Sequence, residues 1–162
     1  MYFWNIEKLK INLIENGLSQ KSLFIYILLY FITSQFFVEL AYIFPGQGPV
    51  SARDYIQPII DLLAVGLGTY LCYYANGGES GRFFAERIFS IGFVVGLRFI
   101  VLLIPVVFIV ALVSGIIVGA MGLDLDSPYP DYAVMLLMTA WLVAVYWRMM
   151  VHINEVARTS NA

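Results

Sequence analysis

From Glu86 to Met121 the chain is apolar for about 36 residues, and beyond Arg87 the only charge in that run is Arg98. As one helix this run reaches roughly 54 Å, against a bilayer hydrocarbon core of about 30 Å. The rest of the chain is of the same kind: 61% of its 162 residues are hydrophobic, 12% are charged, and the mean hydropathy is +0.84. A globule of this length has too little interior to hide that much apolar surface, whereas lipid solvates it directly. The sequence therefore reads as an all-α integral membrane protein.

Three more apolar runs bring the expected spans to four. The first, Ser22 to Phe44, follows a cap at Ser19 and ends where Pro45-Gly46-Gln47-Gly48-Pro49 forbids helix. The second, Tyr55 to Ala75, follows a start signal at Ser51 to Asp54, and the fourth runs from Asp131 to His152. The long third run is expected to be a single helix kinked at Pro105. Ahead of all four, Asn5 to Asn16 spaces Ile6, Leu9 and Leu13 on one face and Glu7, Lys8, Lys10 and Glu15 elsewhere. That pattern predicts an amphipathic helix stopped by Gly17, lying in the cytoplasmic interface with Tyr2, Phe3 and Trp4 among the headgroups. Docking of its apolar face on a partner is the alternative. The expected organisation is thus an interfacial segment at 1–21, a four-helix transmembrane domain at 22–153 and a short cytoplasmic tail at 154–162.

Charge sets the orientation. Four spans gather Lys8, Lys10, Lys21, Arg82, Arg87, Arg148 and Arg158 on one side and leave Arg53 with Asp54, Asp124, Asp126 and Asp131 on the other. The basic side is expected to be the cytoplasm, with both termini there, and the overall character is that of a small bacterial inner-membrane protein. Breaking the third run in two at Pro105 would reverse the fourth span and contradict the same rule. The N-terminal segment has no small-x-small cleavage site and reads as retained.

The same inventory argues against several function classes. Nine basic residues against 11 acidic, scattered along the chain, give no electrostatic footprint for nucleic acid. The one cysteine, Cys72, precludes an intramolecular disulfide and a CxxC pair, and His152, the one histidine, has only Glu155 near it in sequence, so neither a metal nor another cofactor is expected. The acidic loop around Asp124 and Asp126 lacks the EF-hand pattern.

Charges inside spans are the main candidates for function. Glu39 and Asp61 fall at similar depth on the first two spans, where a pair of carboxylates would share a proton or a cation; the alternative is helix–helix hydrogen bonding to Gln35, Tyr42, Tyr55 or Gln57. Arg98 either lies about 15 Å deep and pairs with Asp61 or Glu39, or marks the cytoplasmic boundary of a span running from Phe99 to Met121. Gly92-x-x-x-Gly96 and Gly115-x-x-x-Gly119 permit close helix packing, as do Gly66 and Gly68. The loop carrying Gly77, Gly78, Gly81 and Arg82 either meets a lipid headgroup phosphate or is a tight turn with Ser80 as a helix cap, the turn being favoured.

Three functions are compatible with this pattern. A noncatalytic structural, assembly or regulatory subunit, contacting a membrane-protein partner or copies of itself through helix faces, needs the least chemistry and is the expectation. An oligomeric ion- or proton-coupled transporter or channel would use the intramembrane acids. A lipid-acting enzyme needs a nucleophile, base or metal set that the sequence does not present.

Overall fold

The computed structural model describes residues 1–43, 52–121 and 129–160, and within these the side chains other than those at 36–43, 52–53, 111, 114, 117, 118, 121 and 129–134. The described residues form five α-helices and no strand. Helix α1 spans Ile6–Glu15, α2 Gln20–Ile43, α3 Ala52–Ala75, α4 Phe84–Met121 and α5 Tyr129–Ser160. Three of them are long and apolar enough to cross a membrane, over Asp54–Ala75, Phe84–Val110 and Met135–Ser160.

Local chemistry accounts for the boundaries. The Asn5 side chain accepts a hydrogen bond from the Lys8 amide at 3.1 Å, capping α1, and Gly17 ends it with φ +67°, a conformation that glycine adopts without a Cβ clash. Ser19 Oγ accepts from the Ser22 amide at 3.3 Å at the start of α2. Helix α4 continues through Pro105 for 38 residues, about 57 Å at 1.5 Å per residue. The turn Pro45 to Pro49 and the acids Asp124 and Asp126 lie outside the described residues.

Two segments differ from the sequence expectation. The apolar face of α1 is not turned to lipid: Ile6, Leu9 and Leu13 are buried in one core cluster with Phe93 and Val94 of α4 and Ile153 and Val156 of α5. At the other terminus, α5 runs on past His152 through Ser160, and Ile153, Val156 and Ala157 share a buried face at three- and four-residue spacing.

Packing pairs α2 with α4, α4 with α5 and α5 with α3, while α1 lies over α4 and α5. Among the described residues the buried core lies at one end of this bundle: Leu9, Tyr26, Cys72, Ile91, Val94, Ile153 and Val156 belong to it, and the last buried residue described on α4 is Val95. Farther along α4, Leu102, Ile104, Phe108, Ile109, Leu112 and Ile116 are all exposed. Among the described residues, apolar side chains are thus buried in protein at one end of α4 and exposed along the rest of it.

Candidate functional site

The buried polar residues among those described, Asn76, Glu86, Arg87, Ser90 and His152, all lie at the core end of the bundle. The turn between α3 and α4 brings the first of them together. The Gly77 amide bonds to Tyr74 O at 2.9 Å, the Ser80 amide to Gly77 O at 3.2 Å and the Gly81 amide to Gly78 O at 3.1 Å. Gly77 has φ +103°, and a Cβ on Gly81 would stand 2.4 Å from the Asn76 carbonyl oxygen, so the turn closes only with glycine there. These amides serve the turn itself, and Ser80 Oγ donates to Gly77 O at 2.8 Å instead of capping α4. Gly77, Gly78 and Gly81 therefore build the tight turn, with Arg82 exposed beside it.

That turn holds Asn76 against Arg87. The Arg87 guanidinium donates to Asn76 Oδ1 at 2.8 Å and to Ser160 Oγ at 2.7 Å, while Asn76 Nδ2 donates to Arg82 O at 3.2 Å. A cation only 3% exposed is thus accommodated by neutral acceptors from the end of α3 and the end of α5. Next to it, the Glu86 carboxylate accepts from the Leu18 amide in the link between α1 and α2, and the Ser90 hydroxyl donates to Glu86 O at 2.6 Å.

A second polar group ties α1 to α5. Lys10 Nζ stands 2.7 Å from Glu155 Oε2 and 2.9 Å from Glu7 Oε1, and His152 Nδ1 meets the same Glu155 oxygen at 3.2 Å. Partial burial works against the Lys10 charge, but the hydrogen bonds to Glu155 and Glu7 outweigh it and hold the ammonium above the ordinary lysine range. Glu7 and Glu155 are largely open to solvent, so Lys10→Met is expected to change stability by less than about 1 kcal/mol, as read from the thermal midpoint of the purified protein.

Arg98 and Asp61 are not brought together. Arg98 donates from Nε at 3.2 Å and Nη2 at 2.5 Å to the Trp4 carbonyl, and its guanidinium lies 5.8 Å from the Trp4 ring centroid. Asp61 Oδ1 accepts from Gln57 Nε2 at 2.7 Å, and the same Gln57 nitrogen lies 3.5 Å from Thr139 Oγ1 across the seam between α3 and α5. Gln57 Oε1 is buried with no hydrogen-bond partner among the described residues. The Asp61–Arg98 ion pair weighed from the sequence is therefore not formed. Glu39 lies on α2, where its side chain is outside the described residues.

The glycines separate by environment. A Cβ on Gly92 would stand 2.8 Å from Met149 Cε and one on Gly68 2.4 Å from Tyr146 Cγ, so both mark close helix crossings within the chain. Gly96 lines a cavity of about 280 Å³ with Tyr30, Tyr146 and Met149. A Cβ placed on Gly66, Gly96, Gly115 or Gly119 would meet no atom of the described residues within 4 Å.

Sequence reasoning missed the Asn76–Arg87–Ser160 cluster and the partner of Arg98. Asn76 did give a signal, as a side-chain amide just past an apolar run and just before two glycines, but its acceptor role depends on a residue 11 positions away. Among the described residues no group of three or more His, Cys, Asp or Glu side chains is placed to hold a metal ion. No protein-family model, curated protein or solved structure matches the chain.

Proposed function

We propose that this chain is a four-span subunit of the bacterial inner membrane, without a catalytic role, whose helix faces contact a membrane-protein partner or further copies of itself. Three of the spans are α3, α4 and α5; the fourth is α2, whose 24 helical residues reach about 36 Å. Both termini lie on the basic, cytoplasmic side. A bend at Pro105 lets the 38-residue α4 fit the bilayer.

The observation that carries this reading is the bare far half of α4. Ile104, Phe108, Leu112 and Ile116 are exposed, and Gly115 and Gly119 leave a surface into which another helix can approach closely. Lipid solvates such a surface in isolation, and a helix with small residues of its own packs against it better. The test is purification of tagged protein in mild detergent at native abundance, with mass spectrometry and native mass determination on one sample. A stoichiometric unlike protein or a defined homo-oligomer is the expected result; a monodisperse monomer with no companion sinks the proposal.

A second reading, an oligomeric proton- or ion-coupled transporter, is favoured by one observation: the Gln57–Asp61–Thr139 group, with its unpartnered buried oxygen, in the α3/α5 seam. It gains over the first if the homo-oligomer is recovered and Asp61→Asn abolishes a measurable flux without lowering protein abundance.

A further inference from the structure

The cavity of about 280 Å³ beside Gly96 is walled by all four long helices, with Tyr30 from α2, Val65 from α3, Gly96 from α4, and Leu142 and Met149 from α5. Glycine keeps its α4 wall open. At Gly92 a Cβ would stand 2.8 Å from Met149 Cε, so that glycine serves a helix crossing, whereas one turn later a Cβ on Gly96 would meet no atom of the described residues within 4 Å. The α4 wall runs from Gly92 to Ile100, about 12 Å of helix. The volume approaches the roughly 300 Å³ at which ligand pockets begin, and exceeds the roughly 150 Å³ of an apolar cavity that takes up benzene.

The lining chemistry selects hydrocarbon over water. No charged residue stands among the described lining residues, and the hydroxyls there already have partners. Thr33 Oγ1 donates to Leu29 O at 2.7 Å, Ser34 Oγ donates to Tyr30 O at 2.8 Å, and the Tyr30 and Tyr146 hydroxyls pair with each other. Water needs two to four polar partners to be held in such a space, while an empty cavity forfeits the dispersion contacts of its lining.

The height of the cavity identifies what fills it. Val65, Gly96 and Tyr146 each stand within two residues of the middle of the candidate spans Asp54–Ala75, Phe84–Val110 and Met135–Ser160. At that level a bilayer holds the ends of acyl chains and no headgroups. A partner helix, about 10–12 Å across with its side chains, does not fit this volume, but the end of a single chain does. Ser34 and Val65 are exposed as well as lining the cavity, so it opens to the exterior between α2 and α3.

We propose that the end of a phospholipid acyl chain enters between α2 and α3 and fills this cavity, completing the packing of the four long helices. The inference rests on the membrane-spanning reading above, and its test separates the two.

The full chain is reconstituted in phosphatidylethanolamine/phosphatidylglycerol vesicles containing a phosphatidylcholine with a diazirine near the end of one acyl chain. The vesicles are floated and irradiated, and the labelled residues are mapped by mass spectrometry. Met149 is diagnostic: it lines the cavity, yet it is only 3% exposed, so lipid surrounding the protein does not reach it. Phe108, exposed on α4, reports ordinary lipid contact. The expected result is label on both residues in the parent protein. The Met149 label should be lost in Gly96→Leu, whose side chain occupies the cavity, and kept in Gly66→Leu, which adds the same side chain where a Cβ meets nothing. Label on Phe108 without label on Met149 in the parent overturns the lipid-filled cavity and leaves the membrane reading intact, and it needs no variant. Equal Met149 label in the parent and in folded Gly96→Leu also overturns it. Displacement of the Met149 label by a low mole fraction of free palmitic acid assigns the cavity to a free fatty acid and overturns the phospholipid. Failure of the parent protein to float with the vesicles overturns the membrane reading, and this inference with it.

Discussion

Asn76→Ala is expected to destabilise the protein by about 2–3 kcal/mol, the range for losing a hydrogen bond to a buried charged group. Asn76 is fully buried and its Oδ1 accepts from an Arg87 guanidinium only 3% exposed, so alanine leaves that cation facing a void. Water cannot replace the acceptor at that depth without opening the α3–α4 turn, and the turn is already closed by the contact of Gly81 with the Asn76 backbone. At roughly 2–4 °C per kcal/mol for a chain of this length, the thermal midpoint in detergent should fall by about 4–12 °C. The second half of the prediction concerns sign. Arg87→Met in the Asn76→Ala background should recover part of the loss, because removing the cation also removes its unmet demand, whereas two unrelated deletions would add. Simple additivity in that double-mutant cycle would mean that Asn76 acts by packing alone. Ser160→Ala, at the exposed end of α5, should cost less than Asn76→Ala, since water can take the place of its hydroxyl.

Local patterns in the sequence foretold local structure here, and pairings across the bundle did not show in it. The period of Ile6, Leu9 and Leu13 gives α1 with its stop at Gly17, and serine before an apolar run gives the start of α2, because caps and faces depend on neighbours within one or two turns. What the α1 face would meet was not legible: lipid and the α4/α5 surface are both apolar, and amphipathicity alone does not separate them. The end of α5 was hidden for a different reason. Asn154, Glu155, Arg158 and Thr159 lower the average hydropathy, while Ile153, Val156 and Ala157 still carry a buried stripe that spacing records and averaging erases. Arg98 shows a further limit. A search for its partner among carboxylates finds Asp61 and Glu39, yet the acceptor is a backbone carbonyl 94 positions away, a group every residue has and no sequence pattern marks.

The glycines turn that limit into a measurement, because Gly66 and Gly68 are two residues apart on α3 and equivalent by sequence. Nothing lies within 4 Å of a Cβ placed on Gly66, so Gly66→Ala should be neutral or stabilising, by up to about 1 kcal/mol from helix propensity. A Cβ on Gly68 would stand 2.4 Å from Tyr146 Cγ and 2.9 Å from Tyr146 Cβ, and Tyr146 cannot swing clear because the clash reaches the root of its side chain. Helices α3 and α5 must then separate, so Gly68→Ala should cost about 1–3 kcal/mol despite its better helix propensity, and Gly68→Val more. Cys72, one turn along the same helix and fully buried in the core, reports the separation directly. Its reaction with a small maleimide should be faster in Gly68→Ala than in the parent protein and unchanged in Gly66→Ala. Pairing Gly68→Ala with Tyr146→Ala should slow it again, since the smaller side chain makes room for the added methyl group. Equal labelling of the Gly66 and Gly68 variants would mean that the α3–α5 seam is not closed by the Gly68–Tyr146 contact.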